Sequence, residues 1–287
     1  MAFTVRRVPA RQGVTWFRQG LEMFAARPAV WVGITLLFFL MAVVVSAVPF
    51  AGMLWAVAVP IHLGGLMLGC DALVRGRELE VRHLFQGFEP PRVRPLALLG
   101  VLYFVGCLAF MLPAVLLVVG STFVSAAVVG AHPTAAVTAL SVTFVAGLAL
   151  LVQAGAVALG MAIWFAPALV VFDGVDALEA LKWSLHAAWR NVGAFAVYVL
   201  SMCATAVAIV APLVGAIALS VIRGTRQPEV LTAVIIGGTG LFAAGCLVLL
   251  CPASWGAMYA SYRDVYGRPD AGAAVSAPPR LGGSPAR

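Results

Sequence analysis

Four polar side chains interrupt the long apolar stretches of this sequence: His62, Asp71, Gln153 and Asp173. Such groups are costly inside a bilayer and mark ion or proton paths in transporters. His62 follows Pro60, where a loosened helical turn would expose carbonyl oxygens, and Gln153 falls in mid-span, so these two are the candidate polar path. A lone His in a span also serves simply as a hydrogen bond between helices. Asp71 lies eleven residues after Pro60, and Arg263 lies eleven after Pro252. Eleven residues make about three helical turns, so each charge returns to the face of its proline and the two are expected to pair. Arg75, one turn from Asp71, is the local competitor.

Catalytic chemistry is poorly represented. There is no H-E-x-x-H, G-x-S-x-G or Walker pattern. Ser184 and His186 are close in sequence but diverge on a helix. Cys70, Cys107, Cys203, Cys246 and Cys251 lie in apolar runs without metal-ligand or C-x-x-C spacing, which makes them small packing residues. His132, beside Pro133, reads as a loop residue. No enzymatic activity, cofactor or metal centre is expected.

The clustered cations belong to amphipathic segments. In Ala177 to Phe195, Leu178, Leu181, Leu185, Ala188 and Val192 share one helical face, while Glu179, Lys182, His186 and Arg190 share another. This predicts a helix lying in the membrane interface, its cations near anionic lipid. Asp176 is placed to cap it, and Glu179 to complete a capping box. In the N-terminal leader, Val14, Phe17, Leu21 and Phe24 form a stripe from which Arg18 is displaced. Trp16, Trp31, Trp183 and Trp189 are spaced to anchor at headgroup level.

The composition demands lipid. Hydrophobic residues are 63% of the 287 and charged residues 10%, against roughly 25% charged in a soluble domain. The net charge of +7 is distributed between apolar runs and forms no nucleic-acid-binding face. Two spans fit before Arg75, with a turn at Pro49 to Gly52 and Pro60 inside the second. The uncharged run from Pro95 to Phe172 holds two more, broken between Gly120 and Pro133, and a further pair occupies Asn191 to Ile222 and Val230 to Tyr262. With six spans, sixteen of the 18 Lys and Arg fall on one side and only Arg223 and Arg226 on the other. The positive-inside rule then places both termini in the cytoplasm. Residues 268–287, rich in Ala, Pro, Gly and Ser, read as a disordered tail behind a single membrane domain.

An internal repeat is visible. At an offset of 67, Gln19, Gly20, Glu22, Arg27, Pro28 and Gly33 meet Gln86, Gly87, Glu89, Arg94, Pro95 and Gly100. At an offset of 164, Val14, Phe17, Leu21 and Phe24 meet Leu178, Leu181, Leu185 and Ala188. Pro60-x3-Gly64 is echoed by Pro252-x3-Gly256. The reading is an all-α polytopic membrane protein of six transmembrane helices in three hairpins. An interfacial segment precedes each hairpin, and the units run roughly 11–74, 82–172 and 176–267.

Gly69-Cys70, Ala72-Leu73, Arg75-Gly76, Leu84-Phe85-x-Gly87-Phe88, Phe165 to Val170, Ala180-Leu181-x2-Ser184 and Trp189-Arg190-Asn191 resemble a bacterial inner-membrane family found mostly in proteobacteria. Its members are described only as transmembrane proteins. The Ala-Leu-x2-Ser…Asn pattern is more distantly similar to membrane domains attached to glycerophosphodiester phosphodiesterases. The resemblance implies six helices in the inner membrane and no reaction. The expected role is a non-enzymatic scaffold that contacts membrane lipids and a membrane or envelope protein partner. The alternative is a transporter or lipid-handling protein with a groove at the Pro60 and Pro252 kinks.

Overall fold

A computed structural model of the chain describes residues 4–129, 135–222 and 228–267. The tail at 268–287, His132, Pro133, Arg223 and Arg226 lie outside the described residues. Within them the regular structure is helical: α1 (Gln12–Ala26), α2 (Pro28–Ser46), α3 (Ala51–Val74), a 3-10 helix (Val81–Phe88), α4 (Val93–Val129), α5 (Ala135–Trp164), α6 (Ala166–Asp173), α7 (Ala177–Arg190), α8 (Val192–Ile222) and α9 (Pro228–Val265). Six stretches are long and apolar enough to cross a membrane: Pro28–Ser46, Ala51–Val74, Val93–Gly120, Thr143–Asp173, Val192–Pro212 and Gly237–Val265. The protein is an all-α polytopic membrane protein.

Each short leader element rests on the second span of the hairpin before it. The 3-10 helix packs on α3, and α7 packs on α5 and α6. The first leader, α1, has no preceding hairpin and packs on α9 and α8 instead. The first leader and the end of α9 therefore meet at one side of the bundle, the leader end. An extended segment completes the closure: the Arg6 N–H donates to the Val265 carbonyl at 2.8 Å.

Two glycines of the repeat set the closest approaches. A side chain at Gly20 would run into the backbone carbonyl of Ala253, and one at Gly87 into that of Ile61. Ala253 and Ile61 each follow a helix-kinking proline, Pro252 and Pro60. The leader repeat and the proline repeat thus meet in one kind of contact, which a Cβ would prevent.

The buried faces combine part of each apolar stripe read from the sequence with small residues outside it. In α1 the buried face is Gly13, Trp16, Phe17 and Gly20, with Leu21 and Phe24 packed against the core, while Val14 is exposed. In α7 it is Ala177, Ala180, Ser184, Ala187 and Ala188, with Leu181 packed beside it, while Leu178, Leu185 and Trp189 face outward, as does Val192 at the start of α8. Helix backbones in lipid gain dispersion contacts by approaching closely, and large apolar side chains lose nothing by facing acyl chains. Trp16 and Trp31 are fully buried in the bundle and are not headgroup anchors; Trp189 remains outside. Asp176 occupies the N-cap position of α7 but its side chain makes no capping hydrogen bond, and Glu179 pairs with Lys182 at 2.9 Å. The second leader is a 3-10 helix of eight residues because Glu89-Pro90-Pro91 stops it before an α-helix can propagate.

Candidate functional site

The largest concentration of polar contacts lies on the last turns of α9. The Tyr259 hydroxyl donates to Asp71 Oδ1 at 2.9 Å and the Tyr262 hydroxyl donates to Asp173 Oδ2 at 2.7 Å. Tyr266 donates to the Trp183 carbonyl at 3.1 Å, and burial pushes its phenol pKa up. Asp264 accepts from Gln12 Nε2 at 2.6 Å and Trp16 Nε1 at 2.8 Å. The end of α9 and the residue after it therefore hold α3, α6, α7 and α1 through five hydrogen bonds. Sequence reasoning missed Tyr259, Tyr262 and Asp264. Their spacing at the end of an apolar run was the available signal, but their partners lie far away in the chain.

Asp71 and Arg263 are brought to the same end without forming the expected direct pair. Asp71 takes its cations from its own loop, Arg75 Nε at 2.8 Å and an Arg77 guanidinium nitrogen at 3.3 Å. The Arg75 pKa rises accordingly, first through that hydrogen bond and then through the Asp71 charge. The Arg263 guanidinium lies over the Tyr259 ring, 5.8 Å from its centroid. Tyr259 stands between the two charges, offering its hydroxyl to one and its ring face to the other.

Ser184 and Asn191, the polar members of the Ala180-Leu181-x2-Ser184 pattern, are both structural. Where α5 breaks before Pro167, the Phe165 N–H no longer reaches the Met161 carbonyl directly. It donates to Ser184 Oγ at 2.9 Å, and that hydroxyl donates to the Met161 carbonyl at 2.8 Å. A side chain has been inserted into one helical hydrogen bond, which accounts for the break. Asn191 accepts from the Val8 N–H at 2.8 Å and donates to the Arg6 and Ala187 carbonyls at 3.1 and 2.9 Å. It ties the N-terminal segment to the start of α8.

The proposed transport pair is not assembled. His62 is buried, its Nδ1 is 2.9 Å from the Leu84 carbonyl, and Phe38, Trp55, Phe85 and Phe88 surround the ring. It clasps the second leader to α3. Gln153 is exposed on α5. A leader glycine lies against the backbone just after each in-helix proline, Gly87 on Ile61 and Gly20 on Ala253. Two described cavities open at the leader end instead. One, of about 290 Å³, lies between α1, α3 and α9 and includes Glu22, Arg263 and Asp264. The other, of about 650 Å³, lies between α4, α6 and the start of α7. Neither is lined by Pro60 or Pro252.

The interfacial cations sit outside the bundle. Arg18 is exposed and pairs with Glu22 at 3.3 Å. Lys182, His186 and Arg190 are exposed along one face of α7, with His186 edge-on to Trp183. Among the described residues no group of three His, Cys, Asp or Glu is placed to hold a metal ion, and Cys70 is buried with its thiol 3.9 Å from the Trp255 carbonyl.

No family model matches the chain, and no solved structure matches it. It is similar to a probable inner membrane protein of Burkholderia thailandensis, 32% identical over 196 residues that span 67% of this chain and 72% of that one. Taken with the six apolar helices, that likeness makes the chain a multi-pass inner membrane protein, and it belongs to the family of this Burkholderia protein.

Proposed function

We propose that the protein is a non-enzymatic scaffold of the inner membrane that holds a membrane or envelope protein partner. One observation carries the reading. The buried polar side chains of the leader end are committed to joining elements, while α4 from Leu108 to Gly120 presents every side chain but Ala114 outward. Groups reserved for substrate or proton transfer would be left with unused hydrogen-bonding capacity, and among the described residues no buried side-chain N or O lacks a partner. The transport alternative is less favoured, since leader glycines pack against the backbone beside both in-helix prolines, where its groove was expected. The structural roles of Ser184 and Asn191 fit the same reading.

The orientation proposed with it has both termini in the cytoplasm, from the excess of cations at the leader end. A reporter fused after Arg268 would read cytoplasm, and a periplasmic signal there refutes the orientation. For the scaffold role, a photo-crosslinking residue placed at Leu108, Leu112 or Leu116, exposed along one side of α4, should trap one discrete protein in native membranes. The same residue at Leu40 on α2 should trap lipid. Lipid adducts alone at all three α4 positions would remove the support for a partner.

A further inference from the structure

The internal repeat allows the three hairpin entrances to be compared position by position. At the first, Arg27 precedes Pro28 and Trp31 follows one turn into α2. Arg27 is neutralised by Glu78 at 2.8 Å, and Trp31 is fully buried with its indole N–H on the Met23 carbonyl at 2.9 Å. At the third, the offset of 164 puts Asn191 and Phe195 in these places. Asn191 is satisfied by the N-terminal segment, and Phe195 is buried against Trp16, Trp164 and Phe165. At the second entrance the offset of 67 gives Arg94 and Leu98. Leu98 is 52% exposed, and Arg94 forms no ion pair among the described residues.

The unfilled entrance is the cavity of about 650 Å³. Leu98, Val170 and Val171 are among its apolar lining, and Arg92, Arg94 and Asp176 are its charged lining. Arg92 has only a loose contact with Glu89, at 3.8 Å, and Glu89 is itself exposed. Both arginines flank the first residue of α4, whose first turn holds no acid. The positive end of the helix dipole adds to their charge. The cavity opens where the spans Val93–Gly120 and Thr143–Asp173 reach their ends, at the boundary of apolar and polar chain.

We infer that this cavity binds one anionic phospholipid, its phosphodiester held between Arg92 and Arg94 and the start of an acyl chain laid along Leu98, Val170 and Val171. The lipid supplies what Glu78 and Trp31 supply at the first entrance: a negative charge for the arginine and apolar volume for the slot. Guanidinium groups bind phosphate through paired, charge-assisted hydrogen bonds, and the volume suits a headgroup with the first part of a chain. The inference goes beyond the scaffold proposal and does not need a protein partner.

The test is native mass spectrometry of the detergent-purified full chain, mixed with phosphatidylglycerol and phosphatidylcholine. The unaltered protein should retain one phosphatidylglycerol in preference to phosphatidylcholine. The double variant Arg92→Ala, Arg94→Ala should lower that retention about tenfold or more, the equivalent of one lost hydrogen bond to a charged group. Leu98→Trp, which places in the slot the side chain found at the first entrance, should displace the lipid while leaving both arginines in place. Millimolar inorganic phosphate should not compete. The inference is overturned if either variant retains phosphatidylglycerol as the unaltered protein does, or if inorganic phosphate displaces it, which would make the site one for free anions.

Discussion

α3 and α4 are consecutive spans of similar apolarity, yet the protein treats them oppositely. Of an eighteen-residue apolar window of α3, 56% is buried inside the protein; for the corresponding window of α4 the share is 6%. The largest fully buried side chains, Trp16, Trp31, Leu66, Leu84, Phe165 and Tyr262 among them, all lie in leaders or in the span turns beside them. From Val115 to Gly120, α4 has no buried side chain. The difference teaches where specificity comes from in this molecule. Lipid is as apolar as leucine, so hydrophobicity alone cannot choose a helix's neighbours. Close backbone approach, aromatic contacts and hydrogen bonds can, and they are concentrated at the leader end.

The comparison would break most visibly with a glycine. Gly20→Val forces a branched side chain onto the Ala253 carbonyl and should destabilise the protein by about 3 kcal/mol or more, since backbone cannot yield as a side chain does. Gly120→Val, on the bare stretch of α4 where no atom stands near an added Cβ, should change stability by less than ~0.5 kcal/mol. Thermal unfolding in detergent measures both, and equal losses would abolish the distinction between the two regions. Ser184→Ala comes next. It orphans the Phe165 N–H and the Met161 carbonyl, at a cost of about 1–3 kcal/mol. A neutral result would mean that the Phe165 N–H closes directly onto the Met161 carbonyl, which amide exchange at Phe165 would reveal as protection retained in the variant. The smallest effect expected is for Tyr262→Phe, which removes one hydroxyl from Asp173 and should cost about 0.6–1.7 kcal/mol. If its loss equals that of Gly20→Val, hydrogen bonds and not close packing dominate the leader end.

The sequence made the spans, their number and the leaders legible, because charge and apolar run length are local properties. It also located Gly20 and Gly87 through the repeat without revealing what they touch. The buried faces were legible only in part. Phe17 and Ala188 of the stripes are buried, whereas Val14, Leu178 and Leu185 face outward and Gly13, Gly20, Ala180 and Ala187 are buried in their stead. A hydropathy pattern ranks side chains by their dislike of water, and inside a bilayer that ranking does not separate lipid from protein. His62 was found as a buried polar group, but its acceptor is a backbone carbonyl, which no residue type announces. Tyr259 and Tyr262 were illegible as clasps because Asp71 and Asp173 lie 188 and 89 residues away.

The closure of α1 onto α9 also sets a schedule. Trp16 and its acceptor Asp264 are 248 residues apart. At the ribosome's ~5–20 residues per second, about 12–50 seconds pass between the emergence of the first leader and that of the helix that buries it. The other two leaders follow directly upon the hairpins that receive them. During that interval α1, with Trp16 and Phe17 uncovered, lacks both helices that bury it, α8 and α9. The first leader is thus the last of the three to reach its place in the bundle.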